Sequence, residues 1–263
     1  MDLEKGDVAI PQKSAHDPIP GEFYRCVVGS TLAGLSLGNG DRDEMGICIE
    51  PRDAVTGLDY FKFYKWRSQP EGTPSGPGDL DLTVYGLRHW MRLAVNGNPT
   101  ILDLLFVPKE LRIIDGLLAD AIRSLRETLI SKRAADAYLG YLTAQRQRML
   151  GERGGRRVTR PLNNYGYDSK YASHMVRLGF QGVQLLKEGW IDLPMRGEAL
   201  EFCRAVKRGE LELPKVIERT EALEAELVTL RATSPLPENP DFVRLNDFLH
   251  AAYKWSWVYG ATK

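Results

Sequence analysis

The fold is decided by VGSTLAGLSLGNGDRDEMGICIE, residues 28–50. The apolar run FYRCVV, Phe23 to Val28, leads into it and stops at Gly29, as a buried strand would. MGICIE, Met45 to Glu50, leaves it as a second strand, halted by Pro51. The connection holds too many glycines for one continuous helix. The spacing predicts a short helix near Thr31 to Leu35 and a turn at Gly38 to Gly40.

Two details of this connection carry chemistry. Gly29-Ser30 stands between a strand end and a helix start, where backbone N–H groups can approach an anion closely and a hydroxyl adds a donor. Asp41 and Asp43 are two residues apart, so on a strand they share a face, about 6–7 Å apart along it. Two such carboxylates repel unless water or a cation separates them. Hard oxygen ligands in this number suit Mg²⁺ together with substrate phosphates. Each detail also has an ordinary reading: an N-capping serine, and a solvated acidic turn.

Working outward, LDYFKFYKW (Leu58 to Trp66) and DLDLTVY (Asp79 to Tyr85) read as paired strands around the Pro/Gly-rich QPEGTPSGPG (Gln69 to Gly78). If DLDLTVY lies beside the Asp41/Asp43 strand, Asp79 and Asp81 face the same way as Thr83. Asp81, flanked by Leu80 and Leu82, is then a buried charge in need of a partner, and a third metal ligand. Asp79 reads as an exposed strand entry.

The period then changes. GLRHWMRLAVNG, Gly86 to Gly97, sets Leu87, Trp90, Met91, Ala94 and Val95 on one helical stripe. TILDLLFVP, Thr100 to Pro108, fits a short buried strand or a helical turn. Helices are predicted over 110–119, 122–149, 170–188, 197–208, 214–231 and 241–259. The expected organisation is a loose arm at 1–22, an α+β core at 23–109 and a helical domain at 110–263.

Lys170, His174 and Arg177 recur at i, i+4 and i+7, so they share one helix face, able to hold phosphates as well as to sit in solvent. Arg146, Arg148, Arg153, Arg156, Arg157 and Arg160 gather around the glycine-rich stretch at 151–166, expected to be a mobile basic loop. Arg153, Arg156 and Arg157 there are candidates to grip a nucleic-acid backbone.

Bulk composition limits the alternatives. Lys+Arg and Asp+Glu number 35 each in 263 residues, so any nucleic-acid surface is a local patch. Cys26, Cys48 and Cys203 match no disulfide framework or zinc spacing, and reduced thiols in a cytoplasmic protein are expected. No apolar run nears a membrane span, and residues 1–22 lack the basic and apolar regions of a signal peptide.

Together, Gly29-Ser30, Gly34, Asp41-x-Asp43, Gly46 and the later Asp81 resemble the DNA polymerase β-like nucleotidyltransferase superfamily. Within it the chain resembles a bacterial and phage family of predicted nucleotidyltransferases, the RNA-repair-pathway polymerase β-like proteins. The more specific stretches are DLTVYGLRHWMRLAVNGNPTILDLLF (Asp81 to Phe106), YLGYLTAQRQRM (Tyr138 to Met149) and SKYASHMVRL (Ser169 to Leu178). The resemblance spans roughly residues 23–210. Gly40 departs from the family's usual serine before the first aspartate, and Arg42 between the carboxylates is a candidate partner for either.

The resemblance implies a small mixed sheet of palm-like form with helices behind it. It implies Asp41, Asp43 and Asp81 as ligands of Mg²⁺ or Mn²⁺, with Gly29 and Ser30 on the β- and γ-phosphates of a nucleoside triphosphate such as ATP. It also favours the phosphate role for Lys170, His174 and Arg177. The expected reaction moves a nucleoside monophosphate to an acceptor hydroxyl and releases pyrophosphate, with an RNA or tRNA end as acceptor. A protein or small-molecule acceptor, a non-catalytic nucleotide-binding regulator, and a purely structural protein remain the alternatives.

Overall fold

Period-two alternation in the first half builds a sheet. The computed structural model describes residues 18–38, 40–70, 72–73, 75–150 and 164–259. Its strands are β1 (Glu22–Val27), β2 (Arg42–Cys48), β3 (Phe63–Arg67), β4 (Leu80–Gly86) and β5 (Arg112–Asp115). They lie in the order β3-β4-β2-β1-β5. β2 and β4 run parallel and every other pair is antiparallel, so the sheet is mixed. A parallel pair needs a crossover. Here α2 (Arg52–Thr56) and β3 supply it.

Alternation assigns the two faces. Tyr24, Cys26, Met45 and Ile47 point into the main core, where Leu87, Trp90 and Leu104 meet them. Cys48, Leu82 and Val84 point the other way, into a smaller core with Ile19, Ala54 and Phe61. The fold is α+β, with the helices α3 (Leu87–Ala94) and α4 (Pro99–Leu102) following the sheet. A largely helical region comes after them: α5 (Leu117–Ser124), α6 (Arg126–Leu129), α7 (Arg133–Met149), α8 (Ser169–Glu188), α9 (Gly197–Arg208), α10 (Leu213–Thr233) and α11 (Phe242–Tyr259).

Four local expectations change. The stretch 110–119, read as helix, instead contributes β5. Pro108 and Gly116 leave a run too short for a stable helix, and its β-branched Ile113-Ile114 pair suits the open edge of β1, where Ile114 faces Arg25. The single helix read over 122–149 breaks into α5, α6 and α7. Ile130 is extended, and the Lys132 N–H leaves the helical ladder to donate to the Pro237 carbonyl at 2.9 Å. The strand read from Leu58 begins only at Phe63. The first short helix, α1 (Gly29–Leu32), starts two residues earlier than read. TILDLLFVP resolves as helical turns.

α8 is fixed at both ends. The Asp168 carboxylate caps it, accepting from the N–H groups of Lys170 at 2.9 Å and Tyr171 at 3.2 Å, and Gly189 closes it in the left-handed conformation. Gly182 allows α7 to come close: a Cβ there would stand 2.7 Å from the Tyr138 ring. All three cysteines are buried and free. Among the described residues no helix is long and apolar enough to cross a membrane. Residues 1–17, and Arg153, Arg156 and Arg157 of the basic stretch, lie outside the described residues.

Candidate active site

β1 ends at Val27, and the Val28 N–H donates to the Asp43 carbonyl at 2.9 Å, which ties the chain reversal to β2. Gly29 then turns with φ of 67° into α1. An L side chain is disfavoured at that angle, and here there is also no room for one. A Cβ on Gly29 would lie 2.3 Å from an Asp43 carboxylate oxygen.

Parallel pairing sets Asp43 directly beside Asp81. Carboxylate oxygens of Asp41, Asp43 and Asp81 lie within 4.8 Å of one another. Burial, with the charges of Asp41 and Asp81 added, pushes the Asp43 carboxyl up to about 6, and Lys170 and Arg177 offset part of that.

Asp81 differs from the expectation. It is not an unpaired buried charge but about a quarter exposed, and both of its oxygens are engaged. Arg67 Nε donates to one at 2.8 Å and Ser75 Oγ to the other at 2.6 Å, with Gln69 Nε2 at 3.2 Å. Burial opposes its charge, but the bonds from Ser75 and Arg67 outweigh burial and hold the carboxyl below its usual range. Asp79, placed by sequence at an exposed strand entry, is half-buried and braces the hairpin by accepting from Ser68 Oγ and the Gly76 N–H, each at 2.9 Å.

Arg42 pairs with neither aspartate. It reaches Glu44 at 2.8 Å, on the strand face opposite Asp41 and Asp43, where Glu44 also lies 3.8 Å from the buried Arg25. The same alternation that aligns the two aspartates turns Arg42 away from them. Its side chain is 56% exposed but that of Glu44 only 6%, so Arg42→Ala leaves a buried carboxylate with Arg25 at 3.8 Å and is expected to cost about 1–3 kcal/mol in denaturant unfolding. Turnover should stay within about twofold, because a pair on the far face leaves the carboxylates in place. A large drop in turnover would return Arg42 to the site.

Facing the carboxylates across a cleft of about 470 Å³ are Ser30, Lys170, Ser173, His174, Arg177 and Lys207. Arg177 is nearly buried and donates to the Gly29 carbonyl at 3.1 Å, so α8 is fastened to the turn that Gly29 makes. His174 is not a third cation. Burial, then the neighbouring Arg177, Arg148 and Lys170, drive its imidazole down to about 3, and its Nε2 is buried without a partner among the described residues. The linkage has a definite sign. The unfolded chain takes up a proton near the usual value of 6.5 and the folded protein does so only near 3, so this stabilisation is complete above 6.5 and is lost as pH falls toward 3. Denaturant unfolding between pH 4 and 7 is therefore expected to show an acid-side loss that His174→Gln flattens. An equal slope in both proteins would mean that His174 titrates normally.

Lys207 escaped the sequence reading. It sits on α9 and its Nζ donates to the Leu35 carbonyl at 2.6 Å. Burial, Lys170 and Arg177 lower its affinity for a proton, while Asp41 and Asp43 partly restore it. Arg204, one turn earlier, bonds the Gly34 carbonyl at 3.1–3.2 Å, so α9 holds the loop that follows α1. Nothing in the spacing of α9 marks this face. Its only signal is a basic pair three residues apart.

A family model described as the RNA repair pathway DNA polymerase beta family matches residues 14–251. The chain belongs to that family. Membership makes it a polymerase β-type nucleotidyltransferase, an enzyme of nucleotidyl transfer. Among solved structures it is similar to a nucleotidyltransferase-like protein from Exiguobacterium sibiricum 255-15. The identity is 10% and the TM-score 0.28, over 89% of this chain and 74% of that one. No curated protein matches it.

Proposed function

We propose that this nucleotidyltransferase moves a nucleoside monophosphate from a nucleoside triphosphate to the terminal hydroxyl of an RNA or tRNA, with pyrophosphate leaving. The observation that carries the reading is the juxtaposition across one cleft of Asp41 and Asp43, with Asp81 clustered beside them, and Lys170, Arg177 and Lys207. That arrangement matches a substrate whose phosphates need cations on one side and metal ligands on the other.

Asp41, Asp43 and Asp81 would hold Mg²⁺ or Mn²⁺. The fit rests on their convergence within 4.8 Å and on the elevated Asp43 carboxyl, which a cation would relieve. When bound, such an ion neutralises charge developing on the transferred phosphoryl group. For Asp81 to join, its bonds to Arg67 and Ser75 must loosen.

The chain's own residues do the positioning. The Gly29 backbone and the Ser30 hydroxyl bear on the β- and γ-phosphates. Lys170 and Lys207 give them point charges, and Arg177 offers its fork while staying fastened to the Gly29 carbonyl. His174, held neutral, offers a hydrogen bond without adding charge. The acceptor hydroxyl attacks the α-phosphorus, its proton passing to solvent and its new P–O bond forming as the bond to the β-phosphate oxygen breaks. Catalysis then rests on alignment and charge compensation.

The family description supports RNA as the acceptor, and so does the exposed Arg148 in the last turn of α7, ahead of Arg153, Arg156 and Arg157 in the sequence. Incubating the protein and Mg²⁺ with α-labelled triphosphate, total RNA and total protein tests this. Label is expected in RNA, and label entering protein alone would overturn the acceptor assignment.

A further inference from the structure

A second cleft, of about 760 Å³, opens between α2, α3 and α11. It lies at the other end of the sheet from the carboxylates. Asp81 is the second residue of β4 and Arg88 follows its end, so the two regions are separated by the length of the strand, roughly 20 Å. Its volume falls in the usual range for a small-molecule site.

Three kinds of group line it. The floor is apolar: Met91, Val95, Leu245 and Leu249, with the rings of Tyr253 and Trp257 at one end. The rim is cationic: Arg52, Arg92 and Lys254 are exposed, and Arg88 is half-buried with its guanidinium near the carbonyls of Val55 and Ala54 at 3.3 and 3.5 Å. No carboxylate stands among the described lining residues. Glu50 lies beneath, nearly buried, and is occupied by the Tyr253 hydroxyl and the Arg88 N–H. Between floor and rim are groups suited to reading an edge. Asn246 offers an exposed amide donor and acceptor, and His250 an exposed imidazole.

These groups discriminate among occupants. A second copy of this chain, docked by symmetry, would set the same four cations against themselves. A purely aliphatic anion would cover the Asn246 amide and leave it unpaired, at a cost. A planar heteroaromatic body bearing a phosphate satisfies all three: apolar faces against the floor, ring heteroatoms on Asn246 and His250, phosphate on the arginine rim.

We infer that the α2–α3–α11 cleft is a second nucleotide-binding site, taking one base with its phosphate, either as a free nucleotide or as one unit of a bound RNA strand. The shared chemistry is recognition of a nucleobase edge flanked by a phosphate. The site is independent of the metal ligands, so binding there needs no divalent cation.

The test is equilibrium dialysis of labelled AMP and of 5′-labelled hexa-adenylate RNA against the full chain in EDTA. Arg52→Glu/Arg92→Glu reverses two exposed rim charges. Arg208→Glu/Lys215→Glu, at exposed positions elsewhere, makes the same change in net charge. Binding is expected to weaken at least tenfold in the rim variant, at least threefold in Asn246→Leu and little in the control. Thermal unfolding of all the variants should stay near that of the unmodified chain, which excludes misfolding as the cause. Binding of AMP with this pattern identifies a free nucleotide, and binding of the hexamer without AMP identifies a strand. Absence of both, an unaffected rim variant, or equal weakening in the control would each overturn the inference.

Discussion

Asp41→Asn/Asp43→Asn is expected to abolish turnover without harming the fold. A metal-stabilised phosphoryl transfer owes several kcal/mol to the cation, and about 1.4 kcal/mol is worth a factor of ten, so the loss of pyrophosphate release should reach about 10³-fold or more. Stability should move the other way. Burial and like charge disfavour the Asp43 carboxylate, and the asparagines remove that repulsion while keeping nearly the same shape. The melting temperature at neutral pH is therefore expected to hold or rise. Pyrophosphate release, Mn²⁺ binding by titration calorimetry and a thermal melt on one preparation decide it. Unchanged turnover with unchanged metal binding would dismiss the carboxylates as the centre.

Gly29→Ala is expected to be nearly as damaging with only one methyl added. The backbone sits at φ of 67°, and the new Cβ would meet Asp43 Oδ2 at 2.3 Å. Forcing a non-glycine residue into the left-handed region costs about 1–2 kcal/mol. The collision then displaces either the turn or the carboxylate, and a misplacement of about 1 Å at a reacting centre can cost about 10²-fold. Gly38→Ala separates the two effects. Gly38 has φ of 80° but nothing among the described residues within 4 Å of an added Cβ, so that variant should lose stability and keep activity. Equal turnover in the two variants would show that contact with Asp43 is immaterial.

The site was legible where it is local. Gly29-Ser30 and Asp41-x-Asp43 fall within one strand–turn–strand unit, and the i+2 period alone puts both carboxylates on one face. That period also assigns Arg42 to the opposite face, which the sequence reading did not draw out. The helical i, i+4, i+7 spacing placed Lys170, His174 and Arg177 together, and all three line the cleft. Their charge was less legible. Whether His174 is cationic depends on how deeply α8 is covered by its neighbours, and burial drove its imidazole to the neutral form.

The remote members needed the folded chain. Asp81 could be placed on a strand by its alternation, but its registration with Asp43 depends on β4 pairing parallel to β2 across an intervening helix and strand. Its partner Arg67 comes from the neighbouring antiparallel strand, where Arg67 stands opposite Asp81. Lys207 reaches Leu35 from a helix far along the chain, a contact no local period encodes. β5 reads as helix in isolation because a four-residue run carries little periodicity, and the open edge of β1 made it a strand.

By itself, then, the sequence determined the α+β class and the face on which each of the local candidate-site residues stands, because these follow from backbone periods. The tertiary structure alone decided which remote groups meet those residues and in what charge state. Strand order, register and depth of burial arise from contacts between segments that the chain brings together only on folding.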